Sequence, residues 1–359
     1  NFFGGNVANF SYLCRLIMNT QLDIPRERIL ELFESATKVV IVCHVAPDGD
    51  ALGSTLALWE ILRNRGKKAT VITPDRPTIT LKDLPGYKSI VAASGEPDKA
   101  RYLVEEADLV VCLDFNNITR LDRFAPVILE SKAPKIHIDH HINPDLFAEV
   151  LVSEPEKSST CLLLYMTLME LGMGDEINKN AATCLMTGML TDTGGLAFNA
   201  NDPDIYLAIA DLLTRGVNKN ILMKKLFDTN TDTQVRICSH ALANRTVILK
   251  EHKTAIIMLS KNDLEEFGYQ KGDTEGLVNR PLSIEDIQCS IFIRQDKEDY
   301  VKVSMRSKDD YPVNLFCQEH FEGGGHANAA GGDFHGTLDE AFTYIVNHIS
   351  EYDKYLSKK

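Results

Sequence analysis

Residues 38–66, KVVIVCHVAPDGDALGSTLALWEILRNRG, carry an apolar run, a loop with His44, Asp48 and Asp50, and a helical stretch in direct succession. "KVVIVC" (38–43) is short, continuous and apolar, the pattern of a strand buried on both faces. "ALGSTLALWEILRNRG" (51–66) has helical spacing and stops at Gly66; Ser54, near its start, reads as a helix cap. A strand feeding a helix through a short loop opens an α/β unit. The loop poses a chemical question, because two carboxylates and an imidazole within seven residues are costly unless something offsets their repulsion.

The alternation continues along the first half. "KATVIT" (68–73), "ADLVVCLDF" (107–115) and "KIHIDHH" (135–141) read as further buried strands, which predicts an α/β fold with a mainly parallel sheet flanked by helices. From about 158 to 245 the pattern is helical, in "SSTCLLLYMTLMELG", "INKNAATCLMTGMLTDTG", "DPDIYLAIADLLTRG" and "NKNILMKKLFDTN". Beyond that, "TVILK-EHK-TAIIMLS" and "CSIFIRQ-DKED-YVKVSMRS" look like hairpins. A glycine-rich passage, "FEGGGHANAAGG" (321–332), precedes a last helix, "LDEAFTYIVNHISEYDKYL". At 359 residues the chain exceeds what one core usually covers. The expected division is an N-terminal extension (1–25), an α/β domain (26–230), a linker helix (231–245) and a smaller α+β domain (246–359).

Composition narrows the function classes. No apolar run approaches the roughly 18 residues that span a bilayer, and Arg15 interrupts the mildly apolar N-terminus, so neither membrane association nor a signal peptide is expected. The eight cysteines (Cys14, Cys43, Cys112, Cys161, Cys184, Cys238, Cys289 and Cys317) form no C-x-x-C pair and sit mostly in apolar segments. Buried reduced thiols and a cytoplasmic location follow as expectations. The net charge of −13 lacks the basic footprint of a protein that grips long duplex nucleic acid. A polyanionic substrate must then be short or be held by locally placed cations.

The chemistry-bearing residues fall at the ends of predicted elements. His44, Asp48 and Asp50 follow the first strand, Asp114 closes "LVVCLD", Asp139, His140 and His141 close "KIHID", and Asp192 lies in "MLTDTGG". In open α/β sheets ligands bind outside the carboxyl ends of strands, so these clusters are expected to converge. Carboxylates meeting without a cation would raise one another's pKa, and a divalent metal resolves the conflict. Mixed imidazole and carboxylate ligands without thiolate suit Mn²⁺, and less exclusively Mg²⁺, Co²⁺ or Fe²⁺. An aspartate on a central strand can bridge two such ions in a two-metal site that cleaves phosphate esters.

"HVAPDGDALGS", "CLDF", "IDHH" and "LTDTGG" resemble, in order, the four motifs of the DHH phosphoesterase superfamily, and "GGGHANAAGG" resembles the signature of its DHHA1 domain. In size and arrangement the chain looks like the nanoRNase (oligoribonuclease) subfamily, whose members often also dephosphorylate 3′-phosphoadenosine 5′-phosphate (pAp). The resemblance implies a DHH domain, a DHHA1 substrate-binding domain and an active site in the cleft between them. It implies that His44 and Asp48 bind one metal, that Asp50, His140 and Asp192 bind the other, and that Asp114 bridges. His141 would face the scissile phosphate or the leaving oxygen. Adjacent residues of an extended segment point opposite ways, which also argues for separate roles of His140 and His141. Asp139 is expected to orient an imidazole or a loop.

The second domain is expected to choose the substrate. Gly323, Gly324 and Gly325 would let the backbone approach a phosphate, and His326 offers a donor. Arg306, where the family places an arginine, and Arg294 are candidates for gripping a terminal phosphate with a forked guanidinium. His240, His252, His320, His335 and His348 are assigned no chemistry. The expected activity is Mn²⁺-dependent hydrolysis of short single-stranded RNA to nucleoside monophosphates, with pAp as a second substrate. A homodimer would match the relatives. The alternative is a phosphodiesterase for linear or cyclic dinucleotides such as pApA. A nucleotide-binding protein without catalysis would lack a ligand, and none of the seven metal-site and imidazole positions is missing.

Overall fold

The computed structural model describes residues 22–357, in two units divided between Thr229 and Asn230. The expected extension at 1–25 falls largely outside the described residues, as does Cys14.

The first unit contains helix α1 (Arg26–Ser35), β1 (Lys38–Val42), α2 (Gly49–Asn64), β2 (Lys68–Thr73), β3 (Val91–Ala92), α3 (Pro97–Glu105), β4 (Leu109–Leu113), α4 (Ala125–Glu130), β5 (Lys135–Asp139) and β6 (Val150–Ser153). Four further helices follow: α5 (Thr160–Glu170), α6 (Lys179–Asp192), α7 (Pro203–Thr214) and α8 (Lys219–Phe227). All strand pairs are parallel, in the order β3-β2-β1-β4-β5-β6. Period-two alternation feeds two cores. Val39, Ile41, Leu109, Val111, Ile136 and Ile138 face a core shared with α1, α2, α5 and α6. Val40, Val42, Val110 and Cys112 face the opposite core, closed by Ala100 and Val104 of α3 and Ile128 of α4. β1 and β4, buried on both faces, lack polar alternation and read as unbroken apolar runs, whereas β5 alternates its isoleucines with the buried Lys135, His137 and Asp139.

The second unit contains α9 (Asp232–Asn244), β7 (Thr246–Leu249), β8 (Thr254–Leu259), α10 (Lys261–Glu266), β9 (Cys289–Lys297), β10 (Tyr300–Ser307), α11 (Val313–His320), β11 (Gly324–His326), β12 (Ala329–Phe334) and α12 (Leu338–His348). Its sheet runs β11-β12-β10-β9-β8-β7. The pairs β7–β8 and β9–β10 are the two expected hairpins, joined by a parallel β8–β9 pairing. Ile237 and Ala241 of α9 pack with Ile257, Leu259 and Phe292 on one face, and α11 and α12 cover the other. Among the described residues no helix is long and apolar enough to cross a membrane, and all seven described cysteines are free thiols.

Candidate metal centre

Strand order decides where the site lies. From β1 the chain moves outward to β2 and β3, then returns to place β4 on the other side of β1. Such a reversal leaves a crevice at the carboxyl ends of the two central strands. His44 follows β1, Asp114 follows β4, and Asp139, His140 and His141 end or follow β5. Asp50 lies in the first turn of α2, and Asp192 is the last residue of α6. Close helix packing brings the latter two together: a Cβ at Gly188 of α6 would stand 2.4 Å from Asp50 Oδ1.

Asp48 caps α2, its Oδ1 accepting from the amides of Asp50 and Ala51 at 3.0 Å each. The cap expected at Ser54 is therefore corrected; Ser54 is buried inside the helix and donates to the Asp50 carbonyl at 2.8 Å. The side chain best placed to accept from the free first-turn amides precedes the helix, and Asp48 holds that position.

Apart from Asp139 and His141, the acids and imidazoles of the site meet at 3.4–3.9 Å, beyond a good hydrogen bond. His44 Nε2 is 3.4 Å from Asp114 Oδ2 and 3.8 Å from Asp48 Oδ2. His140 Nε2 is 3.4 Å from Asp192 Oδ2, 3.8 Å from Asp114 Oδ1 and 3.9 Å from Asp50 Oδ2. Three donor sets emerge: His44, Asp48 and Asp114; Asp50, His140 and Asp192; Asp114, His140 and His141. Within each, the ligand atoms lie within 4.8 Å of one another.

The expectation that His140 and His141 point opposite ways is not met. Both lie beyond the last residue of β5, so strand alternation does not govern them, and their rings stand edge to face with centroids 4.6 Å apart. Their roles differ through their partners instead. Asp139, fully buried, accepts from His141 Nδ1 at 2.7 Å, while His140 Nδ1 donates to the Lys157 carbonyl at 3.1 Å.

Electrostatics test whether the donors fit a cation. Burial, then the charges of Asp114 and Asp192, pushes Asp50 far above the ordinary carboxylate range. Burial and the charges of Asp114 and Asp48 likewise raise Asp192. Asp114 goes the other way: burial alone would raise it, but His44, His140 and His141 hold it low. Burial and mutual repulsion thus oppose ionising these acids together, and a bound divalent cation would remove that penalty. Oxygen and imidazole donors without thiolate match that class of ion. These residues could hold divalent cations.

Several contributors left no mark that the sequence pattern reveals. Both oxygens of Asp50 accept backbone amides at the start of α5, from Thr160 at 2.6 Å and Cys161 at 2.8 Å. Thr160 Oγ1 donates to Asp114 Oδ1 at 2.9 Å. Asp75 Oδ1 accepts the amide of Ala46, which is held at φ +49° in the His44–Asp48 loop. "SST" is legible as a helix cap, and Ser159 does cap α5. What it does not announce is that the next two amides aim at an acid 110 residues away.

In the second unit, Gly323 and Gly325 are required by the sheet itself. A Cβ at Gly323 would stand 2.0 Å from the Gly331 carbonyl oxygen, and one at Gly325 (φ +144°) would stand 2.4 Å from that of Ala329. Gly324 is open, its nearest neighbour being Gln318 at 3.8 Å. The His326 side chain lies outside the described residues. Arg294 spends its fork on Asp296, at 2.6 and 2.9 Å, and lies over the Tyr269 ring. Arg306 is half-buried and donates to its neighbouring Met305 carbonyl; no carboxylate pairs with it among the described residues. Burial lowers its pKa.

Comparison with known proteins agrees with this architecture. Residues 38–189 match the DHH family, N-terminal domain, and residues 240–352 match the DHHA1 domain. A solved structure from Bacteroides fragilis, described as an exopolyphosphatase-related protein, superposes with a TM-score of 0.89 at 39% identity, covering 92% of this chain and 96% of that one. The chain belongs to the DHH/DHHA1 phosphoesterase superfamily. Within that family it is 27% identical to a Bacillus subtilis protein named bifunctional oligoribonuclease and PAP phosphatase NrnA, over 88% of this chain and 93% of the relative. A protein of the same name from Thermus thermophilus is 29% identical, over 87% and 89%. The DHH signature itself is Asp139-His140-His141.

Proposed function

We propose that the chain is a Mn²⁺-dependent phosphoesterase that degrades short RNA oligonucleotides to nucleoside monophosphates and removes the 3′-phosphate of pAp at the same centre. The observation that carries this reading is Asp114, which turns Oδ2 toward His44, a member of its own donor set, and Oδ1 toward His140, the imidazole that also belongs to the set of Asp50 and Asp192. His44 and Asp48 would hold one ion, Asp50, His140 and Asp192 the other, and Asp114 would bridge. Ions bound there supply Lewis acidity at a phosphoryl oxygen and a more acidic water.

The protein's own groups do the rest. The Asp50 and Asp114 carboxylates are fixed by the start of α5, so they need no reorganisation as a substrate arrives. Burial pulls the His141 pKa down, but the Asp139 hydrogen bond and the charges of Asp139 and Asp114 raise it above its ordinary value. With Nδ1 committed to Asp139, His141 offers Nε2 to protonate the leaving oxygen. Arg306, desolvated and without an acid partner among the described residues, suits a terminal phosphate, whereas Arg294 is already occupied. A net charge of −13 favours a substrate of a few nucleotides.

The test is turnover measured side by side on labelled RNA from dinucleotides to long strands, pAp, pApA, cyclic dinucleotides and pyrophosphate, with the metal varied. Preference for the shortest RNAs and for pAp in Mn²⁺ is expected. Equal rates on long and short strands, or preference for pyrophosphate or cyclic dinucleotides, would overturn the reading.

A further inference from the structure

We propose that Lys157 is a positioning residue: its buried ammonium, clamped between Asp202 and Asp204, anchors the loop that aims His140, Asp50 and Asp114 into the metal centre. Lys157 lies in the loop between β6 and α5 and is only 5% exposed. Its Nζ reaches Asp202 Oδ2 and Asp204 Oδ2 at 2.8 Å each. Asp202 in turn caps α7, and Asp204 is buried in that helix's first turn. Burial alone would drive the ammonium toward neutrality, but the two carboxylates more than offset it and keep it charged.

The anchored segment meets the site at four points. The Lys157 carbonyl accepts from His140 Nδ1 at 3.1 Å, which fixes the tautomer and leaves the Nε2 lone pair facing Asp50, Asp114 and Asp192. Three and four residues on, Thr160 and Cys161 give their amides to Asp50, and the Thr160 hydroxyl bonds Asp114. Within the six-residue loop, 154–159, further bonds are local or run to β5 and α5: Glu154 donates to the Asp139 carbonyl, Lys157 to that of Glu154, and Ser159 caps α5. The clamp ties them to α7, an element that supplies no donor to the centre. The consequence is that an ion pair outside the donor sets governs cation affinity.

This inference rests on the two-cation reading above, and its test reads metal binding instead of turnover. Mn²⁺ is titrated into EDTA-stripped, full-length protein and followed by electron paramagnetic resonance and calorimetry, with Tm recorded in EDTA. Lys157→Met should weaken Mn²⁺ binding about 10–100-fold, the range found for groups that orient metal ligands. Because Lys157→Met removes the cation that faces the half-buried Asp202 and the buried Asp204, a second variant, Lys157→Met with Asp202→Asn and Asp204→Asn, removes the clamp together with those charges. It should regain stability but not Mn²⁺ affinity. As a control, Arg215→Met breaks the buried Arg215–Asp211 pair in the same unit and should lower Tm with Mn²⁺ affinity kept within about twofold. Wild-type affinity in both Lys157 variants overturns the proposal. So does restored affinity in the triple variant, or equal weakening by Arg215→Met. Wild-type protein that takes up no Mn²⁺ overturns the two-cation reading and this inference with it.

Discussion

His44 Nε2 and Asp114 Oδ2 stand 3.4 Å apart, one just past the end of β1 and the other just past the end of β4. The pair closes the crevice that the reversal of strand order opens. Asp114 sits at φ +66°, a conformation that non-glycine residues rarely adopt. That backbone bend is held by the Asp114 amide on the Ile138 carbonyl and by the contact of Thr160 with its side chain. A strained acid placed where two donor sets meet is where a substitution should matter most.

Asp114→Asn keeps the shape of the side chain and removes its charge. Turnover of an RNA dinucleotide should fall by about 10²–10³-fold, or about 3–4 kcal/mol of transition-state stabilisation. Mn²⁺ stoichiometry, followed in parallel, should drop below that of the wild type. Retention of both quantities would remove Asp114 from the bridging position.

The metal-free protein should lose stability as pH rises. Asp50 and Asp192 have raised pKa values in the folded state, so above the ordinary carboxylate range the folded chain binds more protons than the unfolded one. Stability then falls with pH through the interval between the unfolded and folded values. Saturating Mn²⁺ should flatten that slope, because the native carboxylates are then ionised as well. In EDTA at pH 8, Asp192→Asn should raise Tm by a few degrees, since about 1 kcal/mol corresponds to about 2–4 °C in a domain of this size. Thermal melts from pH 5 to 9, with and without Mn²⁺, decide it; a metal-free wild type whose Tm climbs with pH would contradict the assignment.

How much of this was legible in the sequence depends on whether a feature is carried by local pattern. Strands β1 and β4 announced themselves because burial on both faces forces continuous apolar residues, whereas β5 alternates Ile136 and Ile138 with the buried Lys135, His137 and Asp139. The acids and histidines after them were visible because such side chains are rare at the end of an apolar run without a task. Strands β3 and β6, of two and four residues, are too short to show a period. The parallel β8–β9 pairing joins segments separated by about thirty residues and has no local signature. The service of the Thr160 and Cys161 amides to Asp50 was invisible for a different reason: it uses backbone, which every sequence possesses. The alternation argument for His140 and His141 failed because β5 stops at Asp139, two residues before it would have to end.

The glycines of the second unit should separate sharply. Gly323→Ala and Gly325→Ala place a Cβ within 2.0 and 2.4 Å of backbone oxygens. Each should destabilise the protein by about 2 kcal/mol or more in urea denaturation, because rigid strands cannot yield as a flexible side chain does. Gly324→Ala, with 3.8 Å to its nearest neighbour, should stay within about 0.5 kcal/mol of wild type. Gly324 is therefore the position where a loss of substrate affinity could be read without a loss of fold. Equal destabilisation at all three positions would show that the close approach of β11 to β12 is not what selects glycine.

Asp139→Asn separates positioning from ligation. Asp139 bonds His141 through both its Nδ1, at 2.7 Å, and its backbone amide, at 3.1 Å, and belongs to none of the three donor sets. In the proposed two-cation arrangement His141 is not a ligand, so the loss of its orienting acid should leave Mn²⁺ binding near wild type. The imidazole loses a charge that raises its pKa, and an amide in place of the acid can turn its oxygen or its nitrogen toward Nδ1. Since His141 must carry its proton to assist the leaving oxygen, activity is lost as pH rises through its pKa. Lowering that pKa moves the alkaline limb of the kcat profile to lower pH, and the loss of an effective proton donor should cost about 10²-fold at the optimum. A pH–rate profile of the variant on RNA dinucleotide, with Mn²⁺ saturating, reports both effects. An unmoved alkaline limb would mean that a group other than His141 delivers the proton.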